Sequence, residues 1–174
     1  EKHIVAYKTF NGISLIKCPK LPVIENPELI SIIFNLLGDG SDLKNAGEYA
    51  NTSLYLLKNF ETRLKNAFGD VHVQYNTGKN GFIRFPKILV NLLKKIYNIE
   101  FGTFSGDIPQ ILFKLSKEYT FSALRSFVDD EGHISDNDIN ITSGNEKLIR
   151  KAAMLIKLKI PELKDCYYIS KNGK

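Results

Sequence analysis

The sequence predicts a mixed α+β chain in which one order of elements is run through twice. Three observations predict it. Segments with apolar residues at helical spacing alternate with short β-hairpin signals along most of the chain. An apolar run closing on acids and Gly is followed by a hairpin and then a helix, once after Gly40 and again after Gly132. Finally, Leu29 to Leu37 is apolar on nearly every face, so that helix must be enclosed on all sides, as at a seam between half-domains. A chain of 174 residues can bury a real core. The expected organisation is an N-terminal hairpin and linker over 1–25, a first half over 26–107, and a second half over 108–174 that stops inside its second hairpin.

His3 to Lys17 alternates around Asn11-Gly12, a strong hairpin signal, and Lys20 to Pro27 reads as a linker. Asn26 is placed to cap a helix with Pro27 in its first turn. A polar hairpin over Ser41 to Thr52 follows, then an amphipathic helix from Ser53 to Phe68 with Leu54, Leu57, Phe60 and Leu64 at helical spacing. Val71 to Asn76 and Phe82 to Pro86 form a second hairpin around Thr77 to Gly81, and Ile88 to Tyr97 is a further helix. A helix from Pro109 to Lys117 leads into the next helix. After Gly132 come a hairpin from His133 to Ser143, a helix from Asn145 to Leu158, and a strand near Tyr167 to Ser170.

The most informative segments are Ile32-Ile33-Phe34-Asn35-Leu36-Leu37-Gly38-Asp39-Gly40 and Leu124-Arg125-Ser126-Phe127-Val128-Asp129-Asp130-Glu131-Gly132. Each reads as a helix that stops at a carboxylate followed by Gly, the residue that most cheaply turns left-handed past a helix end. A carboxylate is poorly placed there, because the C-terminal end of the helix dipole is already negative. Two helices that both accept this penalty point to a cation where they end, and a divalent metal suits carboxylate and carbonyl oxygens.

These two segments resemble the signature motifs of the LAGLIDADG homing endonucleases. Leu124 to Gly132 has the apolar start, the small third residue Ser126 and the acidic ending; Ile32 to Gly40 resembles the variant ending Leu-Leu-Gly-Asp-Gly. Asp39 and Glu131 lie about one repeat apart for single-chain members, and Ile108 to Thr120 resembles the usual lead-in to the second motif. The resemblance implies a saddle of antiparallel hairpins backed by helices, two pseudo-symmetric halves, and the two motif helices at the seam. It implies a Mg²⁺-dependent, site-specific double-strand DNA endonuclease working as a pseudo-dimeric monomer. The alternative is a module that binds nucleic acid without cleaving it, a transcription regulator or a maturase on intron RNA.

On that reading Asp39 and Glu131 are the catalytic acids. They would share Mg²⁺ with backbone carbonyls near Gly38 and Asp130 and with DNA phosphates, so that water is activated and the leaving oxygen neutralised. Asp129 and Asp130 are accessory, one capping nearby backbone and the other setting local charge. The competing reading is that each acid merely solvates a helix end. DNA contacts would fall to the hairpins: His72, Gln74 and Asn76 on the polar face opposite Val71, Val73 and Tyr75, with Arg84 on the facing strand and Lys79 at the tip. In the second half Asp138, Asn140 and Thr142 alternate with Ile139 and Ile141. Asn and Gln can pair with adenine and Arg with guanine from a two-stranded ribbon in the major groove, although any half-buried hairpin also shows a polar outer face.

Three departures bear on activity. Phe34 stands where the family has a small residue, with Ser126 as its possible compensation. Asp107 stands directly before Ile108, where members tend to carry a basic residue, leaving Lys79, Arg84 or Lys87 as stand-ins. No equivalent segment is seen in the second half. His133, directly after Gly132, is placed to touch a phosphate or to be an ordinary strand residue.

Composition narrows the classes. A net charge of +5 and a pI near 9.1 favour a polyanionic partner. Cys18 and Cys166 match no metal spacing and read as thiols of a reduced, cytoplasmic protein. His3, His72 and His133 are scattered, which argues against zinc. No EF-hand loop pattern occurs around either acid. No run is long and uncharged enough to span a bilayer, so no membrane partner is expected. The opening Glu1-Lys2-His3, without Met or a signal peptide, suggests a domain of a longer protein with flanking domains.

Overall fold

The computed structural model describes residues 4–9, 12–17, 20, 25–102, 105–136 and 139–163, with the side chains of 4–17 excepted. The chain is α+β: five helices, a four-stranded antiparallel sheet and two two-stranded hairpins among the described residues. His3, Asn11, Cys18, Asp138, Cys166 and the expected strand over 167–170 lie outside them.

β1 (Ile4–Thr9) and β2 (Gly12–Lys17) form the N-terminal hairpin. Thr9 pairs with Gly12, so the connection is residues 10 and 11, and Gly12 already belongs to the strand.

α1 (Pro27–Asp39) starts where its cap predicts, with Asn26 Oδ1 accepting from the Leu29 N–H at 2.9 Å. Residues 29–37 are all buried, as a helix apolar on every face requires. β3 (Gly40–Asp42) and β4 (Ala46–Ala50) turn back on each other, and α2 (Leu54–Phe68) follows from a Ser53 cap. β5 (Gln74–Asn76) and β6 (Phe82–Pro86) complete the sheet in the order β3-β4-β6-β5, and α3 (Lys87–Tyr97) follows directly. The inner face carries Tyr49, Ile83 and Phe85 against Phe60 of α2; the Tyr49 and Phe60 rings stack at 4.5 Å. α4 (Lys117–Glu131), β7 (Gly132–Ile134), β8 (Ile139–Ile141) and α5 (Glu146–Lys159) make up the remainder.

α1 and α4 pack side by side and run the same way. Ser31 Oγ donates to Ser122 O at 3.2 Å. One turn on, Asn35 Nδ2 donates to Asp130 Oδ2 at 2.7 Å. At the end, a Cβ on Gly38 would lie 3.4 Å from Glu131 Cγ, so the absence of a side chain there lets the two ends approach. Phe34 and Ser126 are both fully buried. Phe34 packs edge-on to Phe127 with ring centroids 6.2 Å apart, while the Ser126 hydroxyl donates within its own helix to Ser122 O.

Several expectations are corrected. Gly40 and Gly132 are not left-handed; their φ values of −88° and −106° are extended. They are needed for closeness instead: a Cβ on Gly40 would sit 2.3 Å from Leu36 O, and one on Gly132 would sit 2.5 Å from Val128 O. The left-handed helix end belongs to Asn98 after α3, at φ 51°. The helix expected over Pro109 to Lys117 is a 3-10 turn, Gln110–Lys114, because Leu115 is extended and Ser116 opens α4 by capping the Tyr119 N–H. The strand expected over Val71 to Asn76 shortens to Gln74–Asn76. Tyr75 is 38% exposed and turns its hydroxyl onto Glu61 instead of entering the core. Leu54 is likewise exposed, unlike Leu57, Phe60 and Leu64.

Candidate functional site at the paired helix ends

Asp39 closes α1 and Glu131 closes α4, and the parallel packing puts both at one end of the seam. Burial raises the Asp39 carboxyl to about 6, opposed by a hydrogen bond from Asn51. Burial, and then repulsion from Asp39, raise Glu131 to about 7. Each carboxylate is partly withdrawn from water, which makes ionisation costly for both.

Asp130 plays a different part from its neighbours. It faces into the seam, where Asn35 Nδ2 donates to one oxygen and the Tyr49 hydroxyl to the other. Burial raises it to about 7 against these two hydrogen bonds, and the charges of Asp39 and Asp129 add to the rise. Asn35 is only 2% exposed and is itself held by Arg63, whose Nη1 donates to Asn35 Oδ1 at 2.8 Å. Arg63 in turn lies 3.6 Å from Glu28. A polar chain therefore crosses the seam from Glu28 through Arg63 and Asn35 to Asp130 and Tyr49. Asp129, by contrast, is exposed. Asn35, Tyr49, Asn51 and Arg63 were not singled out by the sequence. The one available signal was Ser31 and Asn35, polar residues one turn apart on an otherwise apolar helix.

The predicted DNA contacts divide into groups. Gln74 and Arg84 are direct cross-strand partners, and Arg84 also faces Glu48, so all three share the outer face; Asn76 lies opposite Phe82 in the next row. Arg84 Nε pairs with Glu48 at 2.7 Å, and its guanidinium lies 4.4 Å over the Phe82 ring. Lys87 is bound to Asp42 and donates to Leu43 O at 2.6 Å, while Lys94 joins Asp42 at 2.9 Å. Lys79 is exposed in the turn between β5 and β6, and His72 is exposed just before β5. His133 and Asn140 are exposed cross-strand partners on β7 and β8. Thr142 is exposed too, with its backbone N–H on Glu131 O at 3.0 Å.

Asp107 is no bare acid either. Lys147 and Lys151 of α5 reach it at 2.7 and 2.8 Å. Burial acts to raise its carboxyl, but hydrogen bonds and charge from these lysines outweigh burial and hold it below the usual range.

No group of three or more His, Cys, Asp or Glu side chains among the described residues is placed to hold a metal ion. Asp39 and Glu131 form a two-carboxylate set, and Mg²⁺ is commonly held by one or two carboxylates, with water and substrate phosphates completing its shell. No protein-family model matches the chain, and no curated protein matches it significantly. No helix among the described residues is long and apolar enough to cross a membrane.

Proposed function

We propose that this chain is a Mg²⁺-dependent, site-specific double-strand DNA endonuclease of the LAGLIDADG type. The observation that carries the reading is the meeting of Asp39 and Glu131 at the ends of two parallel, closely packed helices. Two half-buried carboxylates that repel each other and oppose their helix dipoles form a site that a divalent cation and a phosphate would complete. Mg²⁺ bound there would supply a more acidic water and charge neutralisation at the leaving oxygen. The chain's own residues hold the two acids at one point, exclude part of the solvent from them, and tie the neighbouring Asp130 to Asn35 and Tyr49. Gln74, Asn76 and Arg84 on the outer sheet face, with Lys79 in its turn and His72 beside it, would carry DNA contacts in the first half, and His133, Asn140 and Thr142 in the second.

A second reading, a module that binds DNA or intron RNA without cleaving it, is favoured by one observation. Two of the basic side chains expected to stand near the scissile phosphate, Arg84 and Lys87, are paired with Glu48 and Asp42. One experiment separates the readings: incubate the protein with a duplex library in Mg²⁺ and in EDTA, scoring binding and cleavage separately. The endonuclease reading expects cleavage in Mg²⁺ only, lost in Asp39→Asn and in Glu131→Gln with binding retained. Binding without cleavage selects the second reading, and neither activity overturns both.

A further inference from the structure

Resting on the endonuclease reading, we infer that Asn51 is a positioning residue for Asp39, sharing its side-chain amide between the carboxylates of α1 and α4. The amide is oriented by its own turn. Asn51 Oδ1 accepts from the Ser53 N–H at 2.9 Å, the turn that leads into the α2 cap. With the oxygen so engaged, Nδ2 has to face the other way, toward acceptors. It lies 3.4 Å from Asp39 Oδ2, 3.4 Å from Asp130 Oδ1 and 3.4 Å from the Tyr49 hydroxyl. Each distance is longer than a committed N–H···O bond, so the amide is divided among them.

The surroundings hold Asn51 in place from both sides. Its backbone N–H donates to Gly81 O at 2.9 Å. A Cβ on Gly81 would come within 2.4 Å of Asn51 O, so this approach depends on glycine there. On the other side Tyr49 is fixed by its hydrogen bond to Asp130 and its stacking on Phe60. Among the described residues Asn51 is the side chain that donates to Asp39. It does so without bringing a charge, so it can orient the carboxylate and leave its attraction for a cation intact. Residues that hydrogen-bond a metal-binding group commonly set metal affinity through that group's orientation.

The test uses Asn51→Ala together with Asn51→Ser, whose hydroxyl can keep the turn to Ser53 but is too short to reach Asp39. Ser53→Ala is the control: it removes the α2 cap from the same loop and leaves the Asn51 amide alone. For each variant the Mg²⁺ concentration giving half of the metal-induced rise in melting temperature is measured, alongside cleavage and duplex binding in EDTA. Both Asn51 variants are expected to raise that midpoint about tenfold or more, with EDTA binding unchanged and Ser53→Ala at the parental midpoint. A parental midpoint in both Asn51 variants, or an equal shift in Ser53→Ala, overturns the inference and leaves the endonuclease reading standing. A parent protein with no Mg²⁺ response in either melting or cleavage overturns both.

Discussion

The hairpins that follow α1 and α4 begin alike and end as different structures. Each opens on a glycine pressed against the last turn of its helix, Gly40 on Leu36 O and Gly132 on Val128 O. In each, that glycine pairs across the hairpin: Gly40 with Tyr49, Gly132 with Ile141. There the likeness stops. β4 is flanked by β3 and β6, buries Tyr49 completely, and sends its hydroxyl to Asp130 on the other seam helix. β8 pairs with β7 alone among the described residues, and Ile134 and Ile139 are 65% and 63% exposed. A shared opening therefore fixes how a hairpin leaves its helix. What lies beside the second strand decides whether it becomes part of the core.

The sharpest way to break this comparison is to empty the two equivalent positions. Tyr49→Ala should cost about 3–5 kcal/mol, as for a large buried aromatic, whereas Ile141→Ala, at a partly buried position, should cost about 1 kcal/mol. Equal losses by urea denaturation would mean that the second hairpin is as integral as the first. The two glycines test where the hairpins agree. Gly40→Ala and Gly132→Ala should each destabilise by about 1–3 kcal/mol, because the new methyl meets backbone oxygen that cannot move aside. A neutral result at either position would show that its helix end can relax.

The pH dependence follows from the seam acids. Asp39, raised to about 6, and Glu131, raised to about 7, hold protons in the folded chain that the unfolded chain has already released. Metal-free stability from these two groups is therefore fully present below about pH 4 and falls as pH rises from there to about 7. Asp42 and Asp107, held down by lysines that outweigh their burial, have the opposite sign and lose their contribution as pH falls into the carboxylate range. Melting curves of Asp39→Asn and Glu131→Gln in EDTA should be flatter between pH 4 and 7 than the parent's, to the extent that each acid carries about one proton of linkage. The smallest effect belongs to the exposed hairpin face. Asn140→Ala should change stability by no more than about 0.5 kcal/mol; a larger loss would show that β8 is covered by something.

The parts of the fold visible in the sequence are those specified within a few residues. Asn26-Pro27 marked the start of α1, and the period of Leu57, Phe60 and Leu64 marked the buried side of α2. The acids were legible as an anomaly, carboxylates at the wrong end of two helices. What escaped was set by partners distant in the chain. Nothing in the hairpin over Ser41 to Thr52 marks Tyr49 or Asn51 out, because their partners Asp130 and Asp39 are met only in the folded chain. In the sequence Asp130 is indistinguishable from its acidic neighbours, since nothing local marks a carboxylate that bonds to Asn35 and Tyr49. Tyr75 failed the alternation because Glu61 offered its hydroxyl a better place than the core did.

The continuous burial of residues 29–37 also bears on how the chain reaches this structure. The caps of α1, α2, α4 and α5 each join a side chain to the amide three residues on, Asn26 to Leu29, Ser53 to Leu56, Ser116 to Tyr119 and Asn145 to Leu148. Such contacts close within a turn and form early. The contact of α1 with α4 joins Ser31 to Ser122, 91 residues away, and a loop of that length closes late. Until α4 docks, the side of α1 that it covers stays exposed, while α2 and β4, nearer in the chain, pack on the remainder. Aggregation during refolding is therefore expected to track α1–α4 docking, rising with chain concentration and falling when that docking is accelerated.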